Sequence, residues 1–184
     1  SDLTHPEPFL FAQPDDFSIC APHFSDSQPN VIIVPGTSAA NKNYPADGFA
    51  RLAEQLKAKI LLCHGNQQEQ EAACRIAALA ANTAVLPRLN LNQLKAAISR
   101  ADLVIGGDSG PTHIAWGCAV PSVTLYGATP VCIVPTEINC VIKTASNVNL
   151  RKPDTADLSI RNIPEGEILR LAKQLLDRRG KENA

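Results

Sequence analysis

The sequence predicts a three-layer α/β/α domain built on a parallel sheet. From Asn30 onward, short apolar runs alternate with segments of helical periodicity. The runs are also continuously apolar, without strict alternation, as strands covered by helices on both faces are. The domain spans residues 31–179, after an irregular lead-in over 1–30 and before a polar tail over 180–184.

The lead-in holds prolines at 6, 8, 14, 22 and 29 and no sustained period, which suits a linker. Phe9, Phe11, Phe17 and Phe24 are too apolar for a free one, so part of it should pack on the domain. Val31–Val34 reads as the first strand, stopped by Pro35-Gly36. A helix follows over Pro45–Lys57, with proline in its first turn and Phe49, Leu52, Ala53 and Leu56 on one face. Lys59–Cys63 is a second strand, Gln67–Ala81 an Ala-rich helix and Thr83–Leu86 a third strand. Asn90 and Gln93 have capping-box spacing ahead of a helix over Leu91–Arg100. Asp102–Ile105, Pro111–Cys118 and Ser122–Tyr126 read as strand, short helix and strand, and Cys140–Lys143 as a sixth strand. A closing helix runs over Pro164–Arg179, with Ile168, Leu171, Ala172 and Leu175 inward. The whole is a Rossmann-like sheet, in which ligands bind beyond the carboxyl ends of the strands.

Composition narrows the function classes. The 184 residues suit one domain with a buried core, and 45% hydrophobic with 19% charged residues is a globular balance. Lys and Arg total 17 against 18 Asp and Glu, so no global basic footprint for nucleic acid exists. No apolar run approaches the roughly 20 residues of a membrane span, and no signal peptide is recognised at the start. The cysteines at 20, 63, 74, 118, 132 and 140 have no Cys-x-x-Cys pair and no His at zinc-finger spacing. Neither a metal site nor a disulfide framework is expected; Cys63 and Cys118 read as buried thiols, and a reducing cytosol is the simplest setting.

Functional candidates lie just after the strands. After the first, Thr37, Ser38 and Lys42 offer hydroxyls, amides and a cation for phosphate oxygens, or simply a polar loop ahead of a helix. After the second, His64-Gly65 leads to Glu69, a carboxylate for ribose hydroxyls or a favourable charge at a helix start. His64 reads as a polar residue near a strand end. After the fourth comes the strongest signal, Ile105-Gly-Gly-Asp-Ser-Gly-Pro-Thr-His-Ile-Ala-Trp116. Gly106, Gly107 and Gly110 permit close approach of backbone to a ligand. Ser109, Gly110 and the helix opening at Pro111 present unpaired amides, Asp108 can accept from sugar hydroxyls and His113 can donate to a diphosphate. Taken singly, Asp108 is also a helix cap and His113 a semi-buried histidine.

Asp108-Ser-Gly-Pro-Thr-His-Ile-Ala, followed by Pro121-Ser-Val-Thr-Leu-Tyr-Gly-Ala-Thr-Pro130, resembles the signature of glycosyltransferase family 9, the ADP-heptose:lipopolysaccharide heptosyltransferases. Pro35-Gly-Thr-Ser with Lys42 and Tyr44-Pro45, Gly65-Asn-Gln-Gln-Glu69 and Pro87-Arg-Leu-Asn-Leu91 resemble further segments of that family, so the likeness covers about residues 31 to 175. It implies the carboxyl-terminal, donor-binding half of a two-domain GT-B glycosyltransferase. By resemblance, Thr37, Ser38, Lys42, Ser109, Gly110 and His113 contact the diphosphate. Glu69 holds the ribose, Leu89 packs on adenine and Asp108 bonds the heptose.

The implied reaction is inverting and metal-independent, with heptose passing from ADP-heptose to a lipopolysaccharide inner-core acceptor. The general base and the acceptor surface belong to an amino-terminal domain that this sequence does not contain, so the chain alone is expected to be inactive. No cofactor or metal is expected. The resemblance implies an enzyme that is cytoplasmic or peripheral on the cytoplasmic face of the inner membrane, and Arg178-Arg179-Gly-Lys181 reads as a solvated terminus or a lipid contact. Ala39-Ala40-Asn41 stands where the family often has charged residues, which bears on donor identity. A UDP-sugar epimerase-like domain and a non-catalytic transferase-like domain are the alternatives. A dinucleotide dehydrogenase is disfavoured because no Gly-x-Gly-x-x-Gly follows the first strand.

Overall fold

The computed structural model describes residues 7–37, 39–146 and 156–182. Its centre is a six-stranded parallel sheet of β1 (Asn30–Val34), β2 (Lys59–Leu62), β3 (Thr83–Val85), β4 (Leu103–Gly107), β5 (Ser122–Tyr126) and β6 (Asn139–Lys143). The order across the sheet is β3-β2-β1-β4-β5-β6. Val31 pairs with Leu103 and Val34 with Gly106, so β1 and β4 are neighbours although two strands intervene in sequence. The order reverses at this seam, where loops leaving the two strands diverge and open a crevice.

The helices are α1 (Ala46–Gln55), α2 (Gln67–Leu79), α3 (Leu91–Ser99), α4 (Gly110–Gly117) and α5 (Glu165–Glu182). They separate onto the two faces of the sheet. Val31 and Ile33 join Phe49, Leu52, Ile76, Ile168 and Leu175 in one core, with α1, α2 and α5. Ile32 and Val34 join Ala97, Ile98, Ala115 and Cys20 in the other, with α3, α4 and the lead-in. That is why β1 carries no polar alternation: both faces are inside, and all five residues are buried.

Local signals explain most boundaries. Asn90 accepts from the Gln93 amide at 2.9 Å and Gln93 returns a bond from the Asn90 amide at 3.0 Å, closing the capping box of α3. Pro45, the expected first residue of α1, sits instead at its N-cap, one residue outside the helix, and α1 stops at Gln55, short of the expected Lys57. The last helix runs through Gly180 to Glu182, beyond the expected end at Arg179. After α4 the chain turns through Ala119 at φ 53°, while the Val120 amide donates to the Ala115 carbonyl at 2.9 Å.

The lead-in is not extended throughout. Short 3-10 turns occur at Pro14–Phe17 and Ala21–His23. Phe17 packs edge-on against Phe24 with centroids 4.9 Å apart, and the Arg100 guanidinium lies 5.1 Å from the Phe17 ring centre. Phe9 stacks edge-on to Trp116, and the Phe9 and Leu10 amides both donate to the Gly117 carbonyl at 2.9 Å. Phe11 remains exposed.

All six cysteines are free thiols. Cys63 is buried as expected, whereas Cys118, at the C-cap of α4, is only half-buried. Among the described residues no helix is long and apolar enough to cross a membrane.

Candidate functional site

A cleft of about 290 Å³ opens at the seam, built entirely from segments that follow strands. Val34, Gly36 and Thr37 come from the end of β1; Cys63, His64, Gly65 and Glu69 follow β2. Leu89 and Leu94 follow β3, and Asp108 through Pro111 follow β4.

Asp108 is the electrostatic centre. Its carboxylate is 8% exposed, with Oδ2 2.6 Å from Lys42 Nζ and Oδ1 2.9 Å from His113 Nε2. Burial alone would raise its pKa, but the hydrogen bonds from His113 and Lys42, with their charges, hold it below the ordinary carboxylate value. Lys42 reaches Asp108 because Gly107 lets the two backbones meet: a β-carbon there would lie 2.3 Å from the Lys42 carbonyl oxygen. A β-carbon on Gly106 would likewise lie 2.6 Å from Val34 Cβ. These two glycines are therefore required by packing within the protein, whatever they also offer a ligand. Only Gly110 has open space where a side chain would project.

Ser109 occupies the N-cap of α4, and its hydroxyl is buried without a hydrogen-bond partner among the described residues. Thr112, fully buried, fixes the turn: its Oγ1 accepts from the Ser109 amide at 3.2 Å and lies 3.0 Å from the Gly107 carbonyl. An unpaired hydroxyl beside the positive end of a helix is a place for an anionic oxygen.

Glu69 is held on the opposite wall. Its Oε2 accepts from the Gly65 amide at 2.7 Å, and its Oε1 from Asn66 Nδ2 at 2.8 Å. Asn66 also caps α2 by accepting from the Glu69 amide at 2.9 Å. A β-carbon on Gly36 would stand 2.7 Å from Glu69 Cγ, so the first loop passes directly over this side chain. Cys63 lines the same wall but carries no nucleophile, since burial, with the Glu69 charge adding to it, pushes its thiol up to about 12.

The structure thus brings Asp108, Ser109, Gly110, Glu69, Leu89 and Thr37 to one cleft. It places Lys42 and His113 on Asp108 and not on the cleft wall. Thr37 lines the cleft with its polar atoms already engaged: its hydroxyl donates to the Ala39 carbonyl at 2.9 Å and its amide to Asn43 Oδ1 at 2.7 Å. Ser38 lies outside the described residues. Asn43 and Asn66 were not singled out from the sequence. Asn66 had a legible signal, standing three residues before Glu69 as a cap does. Among the described residues no group of three or more His, Cys, Asp or Glu side chains is arranged to hold a metal ion.

Residues 2–163 match the model of glycosyltransferase family 9 (heptosyltransferase). The chain belongs to glycosyltransferase family 9. A curated family 9 relative, lipopolysaccharide heptosyltransferase 1 of Campylobacter coli, is 37% identical over 79% of this chain and 46% of its own length. A solved structure of E. coli ADP-heptose lipopolysaccharide heptosyltransferase II superposes with TM-score 0.76 at 23% identity, over 95% of this chain and 56% of that one. The chain therefore spans about half the length of the family 9 proteins it matches. The fold is shared also with a dodecameric iron-containing heptosyltransferase, TibC, in complex with ADP-D-β-D-heptose (TM-score 0.59, 15% identity, 82% of this chain and 46% of that one). The fold is that of one half of a GT-B heptosyltransferase.

Proposed function

We propose that this chain is the donor-binding half of a heptosyltransferase, which holds ADP-heptose in the cleft at the β1/β4 seam. The observation that carries the reading is the convergence of Asp108, the unpaired Ser109 hydroxyl, the start of α4 and Glu69 on one cleft. Glu69, fixed by Gly65 and Asn66, suits the paired hydroxyls of a ribose. Ser109 and the amides opening α4 suit the diphosphate, and Asp108, an acceptor throughout, suits sugar hydroxyls. Its relatives are lipopolysaccharide heptosyltransferases, which supports heptose as the sugar and a lipopolysaccharide core as the acceptor.

In the proposed reaction an acceptor hydroxyl attacks the anomeric carbon from the face opposite the diphosphate. The bond from that carbon to the β-phosphate oxygen breaks, and ADP leaves with the electron pair. The configuration inverts, and the hydroxyl proton passes to a base on the amino-terminal half of the enzyme. Lys42, His113 and the α4 amides would neutralise charge on the departing diphosphate, which is the role a metal has in other transferases. We therefore read the reaction as metal-independent, at the cytoplasmic face of the inner membrane where the acceptor is assembled.

Lys42 must leave Asp108 to meet the diphosphate. Calorimetric titration of ADP and UDP into the chain tests the reading. ADP should bind in preference to UDP, and Lys42→Ala should weaken ADP on the order of 10- to 100-fold, as loss of a charged hydrogen-bond donor does. Preference for UDP would instead favour the epimerase-like class, and no nucleotide binding would sink the donor reading. Retained transfer in the whole enzyme after exhaustive chelation would support metal independence; its loss and recovery with a divalent ion would overturn it.

A further inference from the structure

We propose that His64 reads the nucleobase, accepting a hydrogen bond at Nδ1 and so selecting a base that carries an exocyclic amine. This rests on the donor reading above and adds a specificity-determining residue to it.

His64 stands in the cleft wall two residues past the end of β2, and Glu69, Leu89 and Leu94 line the same cleft. Its Nε2 lies 3.1 Å from the Leu86 carbonyl oxygen, one residue past the end of β3. A carbonyl can only accept, so Nε2 carries the hydrogen, and the neutral ring then leaves Nδ1 as an acceptor with a bare lone pair. Nδ1 is buried and has no hydrogen-bond partner among the described residues. A buried acceptor left this way is a cost to the fold that disappears when a ligand supplies the donor.

The layout of the cleft says which part of a nucleotide arrives there. The carboxylates of Asp108 and Glu69 mark its polar regions, and the wall after β2 and β3 is, apart from Glu69 and His64, made of Cys63, Gly65, Leu89 and Leu94. Cys63 cannot answer a base, because its Sγ faces the Ile33 carbonyl at 3.9 Å and its thiol stays neutral. A flat purine lying on the leucines has His64 as its polar neighbour. The 6-amino group of adenine is a donor that fits the bare Nδ1.

The test uses the full chain and two nucleotides, ADP and purine riboside 5′-diphosphate, which is ADP without the 6-amino group. Calorimetry should give about ten-fold tighter binding of ADP, the value expected for one buried hydrogen bond. In His64→Phe, which keeps a ring of similar size, that ratio should fall to about one, with the loss on the ADP side. A ratio of about one in the unmodified chain overturns the inference without recourse to any variant. So does a ratio that survives His64→Phe in a protein whose circular dichroism and melting are unchanged, since the amine would then be read elsewhere. Failure of the unmodified chain to bind either nucleotide would remove the donor reading as well, whereas equal binding of both removes this inference alone.

Discussion

Asp108 is fully engaged before any ligand arrives, with one carboxylate oxygen on Lys42 and the other on His113. On the donor reading proposed above, a sugar hydroxyl and a diphosphate are therefore accommodated by exchange of partners, not by addition to vacant groups. The same pairing has a consequence for stability. The Asp108 pKa is lowered in the folded protein despite burial, so its ionised form favours folding. That contribution is complete above the ordinary carboxylate value and is lost as pH falls through the lower folded value. Chemical denaturation of the protein and of Asp108→Asn should show the variant less stable at neutral pH, with the gap closing below about pH 4. A gap that persists unchanged into strong acid would mean the carboxylate is not what the pair stabilises. Asp108 and Glu69 were legible in the sequence because each follows a strand, and strand ends converge in a parallel sheet, whereas Leu89 was reached only through the family resemblance. The engagement of Lys42 was not, since its partner is 66 residues away and no local pattern encodes that distance. The spending of the Thr37 hydroxyl on Ala39 was equally hidden, because a serine or threonine that closes its own turn has the same local sequence as one that binds a phosphate.

Among elements, α4 is followed by a turn held in a left-handed conformation. It is eight residues long, starts at the candidate site and ends where Ala119 takes a left-handed conformation at φ 53°. A left-handed alanine costs about 1–2 kcal/mol that glycine does not incur, so Ala119→Gly should raise stability by about 1 kcal/mol. For a domain of this size the melting temperature should rise by about 2–4 °C, and an unchanged or lower value would show that the turn is held by its packing. The opposite sign is expected at α3: Asn90→Ala removes the side-chain half of the capping box and should cost about 1 kcal/mol in the same assay. Gly107→Ala should be worse than either, because its methyl group meets backbone, the Lys42 carbonyl at 2.3 Å, and the loop that carries Lys42 must move. Both melting temperature and ADP affinity should fall in that variant. Elements with strong periodicity were legible to within two or three residues. The end of α5 was missed because Gly180 reads as a stop, yet Gly within a helix costs only about 1 kcal/mol and the helix continues through it. The 3-10 turns of the lead-in have too short a period to be seen.

At the scale of the whole molecule, the chain has a core of its own on each face of the sheet, and both are closed by its own helices. It also holds a cleft whose walls come from the segments at the ends of four of its strands, and the donor reading proposed above places every donor-binding group among them. Transfer is a different matter. The cleft holds acceptors and groups suited to an anion, but its two carboxylates, on opposite walls, are already engaged: Asp108 by Lys42 and His113, Glu69 by Gly65 and Asn66. Neither is placed as a base for an incoming hydroxyl. Since the chain spans about half the length of its relatives, the base and the acceptor surface are expected on the other half. The isolated chain should therefore bind ADP-heptose by calorimetry and show no sugar transfer to a lipopolysaccharide core acceptor over hours. The same chain joined to its amino-terminal half should bind with similar affinity and turn over. Turnover by the isolated chain would place the base within these residues and make Glu69 or Asp108 the first to substitute; binding that requires the second half would show instead that the cleft is completed across the domain interface.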